Sequence, residues 1–221
     1  MQMDKARKKV ILFDLDGTLT DPGVGITKSV QYALKMFGIH IENLNELCKF
    51  IGPPLKDSFM GFYGFNEVDA CKAIDIYREY FRDIGIYENE IYKGIDALLS
   101  RLSEDGRQLI VATSKPKIFA DTILEFFNIL HYFSFVCGSE LDGTRTRKCE
   151  VIQFALQEAG IQDLSTVVMV GDRGHDAIGA RETGVDCIGV LYGYGSYEEL
   201  RNAGASMIVE TVEELGAALL Y

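Results

Sequence analysis

Lys9-Val10-Ile11-Leu12-Phe13-Asp14-Leu15-Asp16-Gly17-Thr18 is an apolar run that ends on a carboxylate. Val10 to Phe13 are β-branched or large apolar residues, bounded by charge on both sides. That pattern reads as a strand buried on both faces. Asp14 and Asp16 follow at a spacing of two, which points them to one side of an extended backbone. Two carboxylates so placed repel, and one pKa rises unless a cation compensates. Gly17 permits the tight exit that such a loop needs. A polar strand-to-loop turn would read the same way. A calcium loop would not fit, because the twelfth position, where an EF-hand wants Glu, is Gly25.

Similar strand patterns recur at Gln108–Ala112, Val167–Val170, Cys187–Val190 and Met207–Val209. Helical periodicity lies between them. Ile95, Leu98, Leu99 and Leu102 share one face, Ile118, Ile123, Leu124 and Phe127 another, and Val151, Ile152, Ala155, Leu156 and Ala159 a third. A last helix runs from Val212 to about Leu220. Strands alternating with helices predict an α/β fold, a Rossmann-like doubly wound parallel sheet with right-handed crossovers. Residues 19–91 break the alternation. They read as helix throughout, near Gly25–Phe37, Leu44–Ile51, Pro54–Phe62 and Glu67–Gly85. The expected organisation is a core of 1–18 and 92–221 with a small α-helical cap, 19–91, inserted after the first strand.

Composition narrows the function. The chain has 221 residues, 48% hydrophobic and 25% charged, ordinary for a globular protein. Its net charge of −11 is the wrong sign for a non-specific nucleic-acid binder, so no nucleic acid polymer is expected as partner. Five cysteines without a C-x-x-C pair read as free thiols in a reducing cytoplasm. The basic N-terminus, Met1 to Lys9, precedes only four apolar residues before Asp14, too few for a signal peptide. No stretch approaches the length of a membrane helix, so no membrane partner is expected.

In open parallel sheets, ligands bind beyond the carboxyl ends of the strands. The candidate residues there are Asp14 and Asp16, then Thr113, Ser114 and Lys115, then Asp172, with Asp176 a turn later. Asp172 and Asp176 stand at i and i+4, so a helix starting at this point stacks them. An acid in a first helical turn also suits the helix dipole without any ligand. Thr113-Ser114-Lys115-Pro116 offers hydroxyls and amides to an anion at a helix start, or is an ordinary cap with Pro just inside. Lys148, just before the helix Val151–Ala159, runs against the dipole preference and suggests a nearby anion. Acids of this kind hold Mg²⁺, and Mg²⁺ with a lysine and hydroxyls is the equipment for phosphoryl transfer. The P-loop, the three-glycine dinucleotide fingerprint and the G-x-S-x-G elbow are all absent. The histidines His40, His131 and His175 have no metal-ligand spacing.

In their order along the chain, Asp14–Thr18, the Thr113 region, Lys148 and Gly171–Asp176 resemble the haloacid dehalogenase superfamily of phosphatases, from Lys8 to Leu220. Closer still, the chain is similar to the phosphoglycolate phosphatase-like branch with an alpha-helical cap, which also includes proteins described as nucleotidases. The resemblance implies a Mg²⁺-dependent phosphatase acting on a small phosphorylated metabolite, phosphoglycolate or a nucleoside monophosphate. It implies Asp14 as nucleophile forming an aspartyl-phosphate, and Asp16 as general acid and then base. Asp14, the Asp16 carbonyl and Asp172 would bind Mg²⁺, with Asp176 beside them. Thr113, Ser114 and Lys148 would hold the phosphoryl oxygens. In the family the loop that here is Gly52-Pro53-Pro54-Leu55 approaches the substrate. Sugar-phosphate mutases carry a basic residue where this chain has Leu55, with Lys56 as possible compensation. The mutase is the enzymatic alternative. A receiver-like signalling module is the other, though receivers lack such an insert. A monomer or homodimer is expected.

Overall fold

The computed structural model describes residues 8–220. Of the basic stretch Met1–Lys9, residues 1–7 lie outside them. The chain divides into two compact units, Met1–Thr20 with Ile91–Tyr221, and Asp21–Glu90. The sequence reading drew these boundaries after residue 18 and before residue 92.

β1 (Val10–Phe13) opens the first unit. β2 (Thr20–Asp21) and β3 (Glu90–Ile91) pair with each other where the chain passes from one unit to the other and back. β4 (Gln108–Pro116), β5 (Phe135–Ser139), β6 (Val167–Gly171), β7 (Asp186–Val190) and β8 (Met207–Val209) follow. These strands and β1 form one parallel sheet in the order β5-β4-β1-β6-β7-β8. The helices of the second unit are α1 (Gly23–Met36), α2 (Leu55–Tyr63) and α3 (Glu67–Asp83). Those of the first are α4 (Ile95–Glu104), α5 (Lys117–Phe126), α6 (Lys148–Glu158), α7 (Gly174–Thr183), α8 (Tyr197–Ala203) and α9 (Val212–Leu220).

The sheet is covered on both faces, which explains its unbroken apolar strands. Every residue of β1 and of β6 is buried. Leu12, Ile110 and Met169 form a core with Val151, Ile152 and Ala155 of α6 and Ala177 and Ala180 of α7. Ile11 and Phe13, alternating with Leu12, are as fully buried as it is. Ile95, Leu98, Leu99 and Leu102 of α4 are buried together, as their spacing predicts. At the amino end of the sheet the Lys8 ammonium meets Asp186 at 2.7 Å. That buried charge is therefore paired structurally.

Four local readings needed correction. β5 gave no clear sequence signal, because it is an edge strand, half exposed at its start and ending in Gly138-Ser139. β4 runs on to Pro116 with a register shift between Ala112 and Pro116, so Thr113–Pro116 is strand rather than helix start, and α5 begins at Lys117. Leu44–Phe50 winds as a 3₁₀ helix capped by the Asn43 side chain. The helix α8 was not anticipated.

In the second unit α1 packs on α3. α1 buries Ile26, Val30, Ala33 and Leu34, and α3 buries Ala70, Ala73, Tyr77 and Phe81. These are the spacings of one helical face. Phe50 and Phe59 are buried with ring centroids 5.0 Å apart, and Phe59 stacks on Phe65 at 5.8 Å. They are core of this unit. Phe62 is 44% exposed and lies beneath the Lys49 ammonium at 4.7 Å.

Candidate active site

Register carries Asp14 to the site. Phe13 pairs with Val111 of β4 on one side and Val170 of β6 on the other. The Asp14 amide continues the ladder, donating to the Val170 carbonyl at 2.9 Å. Asp14 therefore leaves the sheet between the carboxyl ends of β4 and β6, level with Ala112 and just before Asp172. α6 supplies the cation. Its first residue, Lys148, is only 6% exposed. The ammonium lies 2.8 Å from Asp14 Oδ1, 2.8 Å from Asp176 Oδ1 and 3.1 Å from the Ala112 carbonyl, to which it donates. Both carboxylate contacts are ion pairs without well-aligned hydrogen bonds.

Asp14, Asp172 and Asp176 each bring a carboxylate oxygen within 4.8 Å of the others, and all three residues are buried. Gly171 allows it: a Cβ there would stand 2.2 Å from Asp176 Cγ. Asp176 Oδ2 accepts the Arg173 amide at 3.0 Å, so the residue also caps α7. The structural reading of Asp176 as a helix cap is thus met, and its other oxygen, Oδ1, faces Lys148. The Asp172 carboxylate accepts the Tyr194 amide at 2.7 Å on Oδ2 and the Thr18 hydroxyl at 3.5 Å on Oδ1.

Burial raises the pKa of Asp172 well above the usual carboxylate value, and the charges of Asp176 and Asp14 add to it. Burial likewise pushes Asp176 up to about 6, against the pull of Lys148 and with the push of Asp14. Burial also opposes charge on Lys148, but Asp14 and Asp176 outweigh it and hold the ammonium above its ordinary range. With all three carboxyls ionised, the one ammonium would leave an excess of two negative charges, which is why burial without a further cation favours protons on Asp172 and Asp176. An oxygen-rich buried cluster with that imbalance fits a divalent cation such as Mg²⁺.

Asp16 takes a separate partner. Its Oδ2 lies 2.7 Å from the Lys115 ammonium, and both side chains are nearly inaccessible. Burial raises the Asp16 pKa and Lys115 counteracts this. The other oxygen, Oδ1, is buried with no hydrogen-bond partner.

Of the residues singled out from sequence, Asp14, Asp172, Asp176 and Lys148 come together directly. Asp16 is beside them, and Thr113 and Ser114 lie on the adjacent end of β4. The Thr113 hydroxyl accepts the Lys115 amide at 3.3 Å, and the Ser114 carbonyl accepts the Ser139 hydroxyl. Gly52 and Lys56 belong to the helical unit. Gly52 has φ +101°, and Lys56 pairs with Glu67 at 3.5 Å. His175 is exposed, and Cys137 and Cys149 are buried thiols whose pKa burial raises, as expected of non-nucleophiles. Arg145 pairs with Glu140 and covers the Phe154 ring, while Arg147 pairs with Glu182, so neither joins the acids. Sequence reasoning missed Lys115 as the partner of Asp16 and Tyr194 as the support of Asp172. Tyr194 was signalled only by Gly193-x-Gly195 following a strand end.

A model of the family described as haloacid dehalogenase-like hydrolase matches residues 11–190. A Pseudomonas aeruginosa protein named 5'-nucleotidase is 52% identical over 191 residues, covering 86% of this chain and 86% of that one. A Mycobacterium tuberculosis protein named tyrosine-protein kinase PtkA is 36% identical over 96% of this chain and 72% of its own length. The crystal structure of a predicted phosphatase from Clostridium acetobutylicum superposes with a TM-score of 0.95 at 51% identity, covering 97% of this chain and 99% of the other.

Proposed function

This chain belongs to the haloacid dehalogenase-like hydrolases and is a phosphoric monoester hydrolase, and from that premise we propose that it is a Mg²⁺-dependent 5'-nucleotidase working through an aspartyl-phosphate on Asp14. The observation that carries the mechanism is the buried trio of Asp14, Asp172 and Asp176, two of which, Asp14 and Asp176, flank the Lys148 ammonium. The nucleoside monophosphate is favoured over phosphoglycolate by the 52% identity to the protein named 5'-nucleotidase.

Asp14, Asp172 and Asp176, with the Asp16 carbonyl, would hold the ion. When bound, Mg²⁺ supplies positive charge that offsets the carboxylates facing a phosphate dianion and polarises the phosphoryl group. Asp14, fixed by its amide in the ladder, presents a carboxylate oxygen to the phosphorus, and the nucleoside oxygen departs. Asp16 is close enough in the chain to protonate that leaving alkoxide, and Oδ1 is the oxygen left without a protein partner. It then takes a proton from the water that cleaves the acyl-phosphate, returning Asp14 as carboxylate. Lys148 and the Thr113 and Ser114 strand end hold phosphoryl oxygens. The Lys148 ammonium already faces three oxygens, so a phosphoryl oxygen replaces one of them. All five cysteines are free thiols, which suits the reducing cytoplasm we assign it. Among the described residues no helix is long and apolar enough to cross a membrane.

The test is phosphate release with Mg²⁺ from nucleoside monophosphates, phosphoglycolate, hexose monophosphates and pyrophosphate. A parallel assay follows phosphate transfer from ATP to protein tyrosine. Nucleoside monophosphates are expected to turn over fastest, with Asp14→Asn slower by at least about a thousandfold. A full rate in Asp14→Asn overturns the nucleophile. Faster turnover of phosphoglycolate overturns the substrate, and isomerised hexose phosphate without phosphate release points to a mutase.

A further inference from the structure

The helical unit contains a cavity of about 560 Å³, inside the range of about 300–1,000 Å³ usual for small-molecule sites. Every residue lining it lies between Lys28 and Tyr80, so it shares no residue with the carboxylate cluster. Two kinds of group meet in it. The rings of Tyr32 and Tyr80 form an inclined pair, centroids 5.8 Å apart and planes at 36°. Beside them stand charges of both signs. Lys28 is already paired with Glu88. The side chains of Lys35 and Glu42 have no ion-pair or hydrogen-bond partner among the described residues, and they do not pair with each other although both line the same cavity. Gln31 donates its amide to the Ile41 carbonyl at 2.6 Å, which leaves its own carbonyl oxygen as an acceptor in the wall.

An aromatic wall, an unpaired cation and an unpaired anion together describe the inverse of a zwitterion that carries a ring. We propose that this cavity binds an aromatic α-amino acid. The ring packs on the tyrosine pair, the carboxylate meets Lys35, and the ammonium meets Glu42. An anion alone would find Glu42 opposed to it, and a cation alone would find Lys35 opposed. Only a ligand bearing both charges satisfies both side chains.

The chain contains no tryptophan, so the fluorescence of added L-tryptophan reports its own binding. The experiment titrates the full chain with L-tryptophan, with tryptamine, which lacks the carboxylate, and with indole-3-propionate, which lacks the amine. Saturable binding of L-tryptophan is expected, with each analogue weaker by roughly tenfold. Lys35→Ala should weaken L-tryptophan and indole-3-propionate but leave tryptamine unchanged. Glu42→Ala should do the converse. Both positions are exposed, so these variants fold. No saturation by L-tryptophan at millimolar concentration overturns the proposal. So does binding that neither substitution alters, or analogues that bind as tightly as the amino acid.

Discussion

A buried carboxylate changes its character with its neighbour. Asp16 is opposite Lys115, Asp14 and Asp176 share Lys148, and Asp172 accepts from neutral donors, the Tyr194 amide and the Thr18 hydroxyl. Replacing Lys115 with Met strands Asp16 in a site where burial already raises its pKa. We expect a loss of about 3 kcal/mol at neutral pH. The deficit shrinks as pH falls, because Asp16 then takes a proton and no longer needs the ammonium. Unfolding calorimetry across pH checks this, and a deficit that grows on acidification contradicts it. Asp176 gives the second prediction. With its carboxyl pushed up to about 6, the metal-free folded chain keeps a proton that the unfolded chain has lost above its ordinary value of 3.8. The folded state binds more protons in this window, so this group's contribution to stability falls as pH rises from 3.8 through about 6. Mg²⁺ competes with that proton. The rise in Tm on adding Mg²⁺ should therefore be small below that window and large above it. An equal rise on both sides would argue against the cluster as the metal site.

At the scale of elements, the close fit of β6 against α7 decides whether the acids can converge. Gly171→Ala drives a methyl group to within 2.2 Å of Asp176 Cγ. The substitution should cost about 1–3 kcal/mol and abolish most of the Mg²⁺-dependent gain in Tm. Leu99→Ala in α4 is a contrasting case. Leu99 is fully buried, so its truncation should cost about 2–5 kcal/mol. It lies away from the acids, so the Mg²⁺-dependent gain should survive. The two substitutions separate packing from site assembly in one denaturation series. The elements themselves were legible where they were fully buried. β1, β6 and α4 show unbroken or periodic apolar residues, whereas β5 is an edge strand whose exposed half erases the pattern.

For the whole molecule, the net charge of −11 opposes an anionic substrate at long range, and at the site Lys148 with a bound divalent cation would offset the carboxylates. With Mg²⁺ held saturating, added monovalent salt screens the repulsion, so kcat/KM for a nucleoside monophosphate should rise or hold steady. A steep fall would mean that a basic surface steers the substrate. The alternation of strand and helix, the long helical interruption and the acids at strand ends are properties of local sequence, and they sufficed for the fold class and for Asp14, Asp172 and Lys148 as candidates. Which cation faces which carboxylate was decided by tertiary structure alone. Lys115 reaches Asp16 because β4 lies beside β1 and its register slips after Ala112, and Tyr194 reaches Asp172 through a backbone amide. Strand order, register and main-chain contacts join residues far apart in the chain, and no local periodicity carries that information.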